Sequence, residues 1–174
     1  MNSRSAIAQV HAWEALDSRG RPTVACTVTL AGGARGRAIV PSGASTSRHE
    51  ALELRDGGER YGGFGVSAAV ASANGESASC VVGLDAIDRS AVDAALEAAD
   101  EDHQLGRVGA NAVLAISTAA TLATAQLQGV ELWQTLDSGD EPLLPLPMVN
   151  VFSGGAHAGA AVDIQDVLVV PVGA

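Results

Sequence analysis

Between Thr23 and Leu30 the side chains alternate strictly. Val24, Cys26, Val28 and Leu30 are apolar, while Thr23, Ala25, Thr27 and Thr29 are small or hydroxylated. A period of two puts the first set on one face of a strand and the second set on the other. Between Gly109 and Gly129, by contrast, Ala112, Ile116, Ala119, Ala123 and Leu127 recur at helical spacing. That spacing predicts a long helix with one apolar stripe, closed by Gly129 in the left-handed conformation. A chain that begins with period two and continues with period 3.6 resolves as a strand meander followed by helices that cover it. The expected fold class is α+β.

The flanking sequence fills in this outline. Ile7 to Trp13 suits a short strand, Asp17-Ser18-Arg19-Gly20 a turn, and Ala31-Gly32-Gly33 a second turn. Arg35 to Val40 then returns as the third strand of an antiparallel meander. Val66, Ala69, Val70 and Ala73 recur at helical spacing, and Asp88 can cap a helix lined by Val92, Ala95, Leu96 and Ala99. The glycine-rich stretch from Asp56 to Gly65 lacks both GxGxxG and Gly-Lys-Ser/Thr, and no strand runs into it, so it is read as a connecting loop. The acidic cluster of Glu97 and Asp100 to Asp102 is read as a solvated helix end rather than a metal site. Asp137 to Pro142 is polar and turn-rich. Beyond it, Met148 to Phe152 and Ile164 to Val170 are near-continuous apolar runs, expected to be strands buried on both faces of a parallel or barrel sheet. The expected organisation is a domain over 1–137, a linker over 138–147 and the start of a second unit over 148–174.

Between the meander and the helices lies Val40-Pro-Ser-Gly-Ala-Ser-Thr-Ser-Arg-His-Glu50. Pro41 ends the strand, having no N–H to donate. Ser42 to Ser47 are six small residues with four hydroxyls, which can bring backbone amides and hydroxyls close to an anion or a bound metal. With 20 acids against 10 bases the net charge is −10, which argues against nucleic acid or an anionic membrane as partner. All ten bases are arginine; the chain has no lysine. Cys26 and Cys80 have no motif spacing and are expected to be core thiols. The amino terminus shows no charged and then apolar leader pattern, and no apolar run approaches the ~20 residues of a membrane span. The expected compartment is the cytoplasm.

The small-residue segment, with His49-Glu50-Ala51 and Leu54-Arg55-Asp56-Gly57 after it, resembles the mobile active-site loop of enolase. Leu16-Asp17-Ser18-Arg19-Gly20 before Pro22-Thr23-Val24 is similar to the family's amino-terminal signature, and Gly109-Ala110-Asn111-Ala112 is a further match. So is Leu144-Pro145-Leu146-Pro147-Met148-Val149-Asn150-Val151 leading to Gly154-Gly155-Ala156-His157-Ala158. These matches keep the family's order from about Ile7 to Ala174. They imply an enolase-like capping domain over 1–137 and the first strands of an incomplete (β/α)8 barrel over 148–174.

The same resemblance implies a hydro-lyase: Mg2+-dependent dehydration of 2-phosphoglycerate to phosphoenolpyruvate in glycolysis. A lysine removes the proton beside the carboxylate while Mg2+ stabilises the enolate. Ser45 matches the serine that ligates the substrate-associated Mg2+. Gly43 and Ala44 would bring backbone to the phosphate, and His49 matches a loop histidine that approaches the substrate. His157 matches the histidine of the Gly-Gly-x-His-Ala loop and is expected to be catalytic as well as substrate-binding, and Gln165 is expected to bind substrate. Gln165-Asp166 stands where the family has Gln-Glu, whose carboxylate helps expel the hydroxyl. Asp166 retracts that carboxylate by one C–C bond, about 1.5 Å. Ser47-Arg48, Ser153 and Asp100-Glu101-Asp102 also depart from the pattern. The family's metal carboxylates, phosphate-binding arginine and base lysine lie on later barrel strands. The stretch is therefore expected to be incomplete and inactive alone, and homo-oligomeric when complete. Two alternatives stand beside this: a specialised-metabolism homologue acting on a related phosphorylated or phosphonate acid, or a non-catalytic capping module that binds enolase subunits.

Overall fold

The computed structural model describes residues 4–43, 47–136, 139, 143–159 and 161–173. Two of the expected site residues, Ala44 and Ser45, lie outside the described residues, as do positions 138 and 140–142 of the expected linker. The chain divides into two compact units, Met1–Ser42 with Arg48–Leu136 and Gly43–Ser47 with Asp137–Ala174.

The first unit is α+β. Strands β1 (Ile7–Leu16), β2 (Pro22–Leu30) and β3 (Arg35–Ile39) form an antiparallel sheet in chain order. The alternation in β2 places Val24, Cys26, Val28 and Leu30 in the core, opposite Val10, Ala12 and Ala38 of the neighbouring strands. β1 runs three residues further than the apolar pattern indicated, because Glu14 to Leu16 keep pairing with β2 although their side chains are not all apolar. Helices α1 (Ser67–Asn74), α2 (Glu76–Val81), α3 (Arg89–Glu97), α4 (Ala110–Gln128) and α5 (Leu132–Leu136) follow. Asp88 caps α3 as expected, its Oδ1 accepting from Ala91 N at 3.0 Å. Gly129 ends α4 at φ 68°.

α4 lies across β2 and β3 with an alanine face, and Ala112, Ala115, Ile116, Ala119 and Ala123 are fully buried. The approach is close enough that a Cβ on Gly36 of β3 would come within 2.0 Å of the Ala119 carbonyl and 2.3 Å of the Ala123 nitrogen. Small side chains thus let the helix backbone settle on the strand. Fully burying Leu96 or Ile116 stabilises the fold by about 1.5–3 kcal/mol each. By length and composition α4 is also apolar enough to span a membrane, which the sequence reading had not found in any segment. Half of that window is buried inside the unit, as in a core helix. Cys26 and Cys80 are both free, and burial pushes the Cys26 thiol up to about 12.

The second unit holds β4 (Val149–Ser153) and β5 (Asp166–Val169), paired antiparallel. The expected parallel arrangement is not formed. A parallel pair needs a long crossover, usually a helix; here the intervening residues fold back through the short 3-10 turn Gly155–Ala158. Both strands are exposed along their length rather than buried on both faces, since a single strand pair has no layer of its own to cover it.

Candidate active site

The segment after β3 has well-defined ends in the first unit. On the incoming side the Ser42 carbonyl accepts from Arg19 Nη2 at 2.6 Å. Arg19 is itself oriented by Asp17, whose carboxylate also accepts from the amides of Arg19 and Arg21 at 2.8 Å. Those amide bonds, Arg21 first, hold the Asp17 carboxyl below the usual range. The Ser42 hydroxyl donates to Glu53 Oε2 at 3.0 Å and accepts from Arg55 Nη2 at 3.1 Å. Arg55 also pairs with Glu53 and donates to the carbonyls of Pro22 at 2.6 Å and Phe64 at 2.9 Å. On the outgoing side Gln104 Nε2 donates to the carbonyls of Arg48 at 3.0 Å and Glu50 at 3.2 Å.

Residues 52–56 run between these clamps and the start of α4. The Leu52 amide donates to the Gln104 carbonyl at 2.7 Å, and the Ala110 amide to the Leu52 carbonyl at 2.9 Å. Buried Asn111 acts as a surrogate strand for Leu54, accepting from its amide and donating to its carbonyl, both at 3.1 Å. Gly109, at φ 90°, is required beside it: a Cβ there would meet Asn111 Oδ1 and Leu54 Cβ at 2.7 Å. The Gly-Ala-Asn-Ala match therefore has a backbone-holding role. Asp56 caps α1 from the loop, accepting from the amides of Ser67 at 2.9 Å and Ala68 at 2.8 Å. The acidic cluster is likewise structural. Asp100 accepts from the amides of Val108, Asp102 and Arg107 at 2.9–3.0 Å, which holds its carboxyl below the usual range.

Of the expected site residues in this unit, His49 is exposed, and its Nε2 accepts from Arg48 Nε at 3.1 Å. Gly43, which falls in the second unit, is exposed.

In the second unit Asp166 opens β5 opposite Ser153. Its Oδ1 accepts from Asn150 Nδ2 at 2.9 Å and Ser153 Oγ at 3.1 Å, and Asn150 also donates to Ser153 Oγ at 2.7 Å. Two departures from the expected pattern, Ser153 and Asp166, are thus bonded to each other. Gln165 is exposed, and its carbonyl accepts from the Gly154 amide at 2.6 Å. Gly154 is needed for that approach, because a Cβ there would lie 2.1 Å from the Ile164 carbonyl. His157 sits on the turn Gly155–Ala158, and its side chain is outside the described residues. The clamp residues Arg19, Ser42, Glu53, Arg55 and Gln104 were not identified as such from sequence. Arg19, Ser42 and Arg55 fall in the Asp-Ser-Arg-Gly, small-residue and Leu-Arg-Asp-Gly matches, which carry no indication that they meet, and Glu53 and Gln104 fall in none.

Among the described residues no three His, Cys, Asp or Glu side chains gather to hold a metal ion. They do not by themselves fit the Mg2+ that the resemblance implies.

The first unit is an antiparallel meander covered by helices, and the second is a strand pair that carries an oriented carboxylate. The family model for the enolase N-terminal domain matches residues 7–136, and that for the enolase C-terminal TIM barrel domain matches residues 141–174. The chain belongs to the enolase family, a family of lyases.

Proposed function

We propose that this sequence serves an enolase-type hydro-lyase, dehydrating 2-phosphoglycerate to phosphoenolpyruvate in the glycolytic cytoplasm. In this reading residues 1–137 are the cap, 138–147 the linker and 148–174 the barrel's first strands. The observation that carries it is the pairing of a clamped small-residue segment after β3 with the family match over both units. Gly43, with Ala44, brings backbone toward a phosphate, and His49 approaches the substrate. Asp166, steadied by Asn150 and Ser153, assists departure of the hydroxyl. Mg2+, when bound, supplies the charge that makes the enolate accessible. Ser45 remains the proposed ligand, and Ala44, Gln165 and His157 remain proposed substrate contacts. The proposed assembly is a homo-oligomer.

The bonded pair of departures, Ser153 with Asp166, favours a second reading, in which the substrate is a related phosphorylated or phosphonate acid. The test is turnover by the protein in which this sequence resides. Phosphoenolpyruvate formed from 2-phosphoglycerate, and lost on chelation, supports the first reading. Dehydration of another such acid with 2-phosphoglycerate untouched supports the second. Absence of both activities overturns the enzymatic proposal.

A further inference from the structure

We infer that Ser42 and Gln104 are positioning residues, which fix the two ends of segment 43–47 through bonds outside the hydrogen-bond ladder of the sheet. The inference rests on the proposed function only for what the segment delivers. Ser42 is held at three points: its carbonyl by Arg19, and its hydroxyl by Glu53 and Arg55 in opposite hydrogen-bond senses. A hydroxyl that both donates and accepts has its orientation fixed. The Arg55 side chain is 20% exposed, and its guanidinium is further fixed by the Pro22 and Phe64 carbonyls. The outgoing end has a different anchor. Gln104 places one amide group on the carbonyls of Arg48 and Glu50, two positions apart. The Gln104 backbone is held in turn by Asp102, whose Oδ1 accepts from the Gln104 backbone N–H at 3.0 Å. None of these bonds belongs to the β1–β2–β3 ladder. The clamp can therefore be lost while the sheet stays intact, as a positioning role requires.

The test uses the intact chain and no substrate. Because the chain contains no lysine, trypsin can cut only at arginine, and cleavage after Arg48 reports release of the outgoing end. Gln104→Ala removes two hydrogen bonds and is expected to speed that cut about tenfold. Ser42→Ala is expected to speed amide exchange at Gly43 several-fold, and Ser42→Thr, which keeps the hydroxyl, to restore it. Amides of Val24 and Val28 in β2 should keep wild-type protection in all three variants. The inference is overturned if those sheet amides lose protection by the same factor, if Ser42→Thr behaves like Ser42→Ala, or if neither end responds. These outcomes are independent of turnover, so a failed clamp and a failed enolase assignment are told apart.

Discussion

Asp166 and Asp100 are short acids in two segments that depart from the family's pattern, and the structure gives them different work. Asp166 is turned toward Asn150 and Ser153 at the loop end of the hairpin. If 2-phosphoglycerate is the substrate, Asp166→Glu in the protein that houses this sequence should raise kcat more than it changes KM. The longer side chain regains reach for a group that acts mainly in the transition state. The gain could approach about 100-fold, the scale of a 1 Å misplacement. Lower turnover after the substitution would mark Asp166 as an adaptation to another substrate. Asp100 instead organises the loop that carries Gln104, and its carboxyl is held below the usual range by the amides of Val108, Asp102 and Arg107. The unfolded chain takes up the proton at its ordinary pKa near 3.8, and the folded chain only at lower pH. The stabilisation is thus fully present above that ordinary value and is lost as pH falls through the depressed one. Asp100→Asn should lower Tm at neutral pH and flatten its fall in acid, measured by thermal melts across pH. An unchanged acid slope would contradict this assignment.

At the scale of elements, the close packing of α4 on β3 is the most sensitive joint. Gly36→Ala would force a Cβ into the Ala119 and Ala123 backbone, which cannot yield as a flexible side chain does. It should destabilise the first unit by at least the ~1–3 kcal/mol typical of overpacking, measured by urea unfolding. A variant as stable as wild type would mean that the helix stands further off. The elements themselves were largely legible: β2 by its alternation, α3 by Asp88 and α4 by its stripe and Gly129. α2 and α5, six and five residues long, are too short to show a period. The antiparallel sense of β4 and β5 was hidden because an apolar run carries no direction. The clamp was hidden for another reason. Its partners lie 23 residues apart for Arg19 and Ser42, and 56 apart for Gln104 and Arg48, so only folding brings them together.

The whole molecule separates architecture from chemistry. The first unit has its own sheet, helices and continuous core, including Ile7, Leu30, Leu96 and Ile116. The second offers a bare strand pair with Phe152, Leu168 and Val169 exposed, and two strands alone are marginal in water. Composition bears on the proposal: none of the 174 residues is a lysine, the residue that the proposed reaction takes as its base. The most direct measurement is phosphoenolpyruvate formation by the homogeneous 174-residue chain given 2-phosphoglycerate and Mg2+. The account predicts no formation above the protein-free rate. Mg2+-dependent product formed by this chain alone would contradict it.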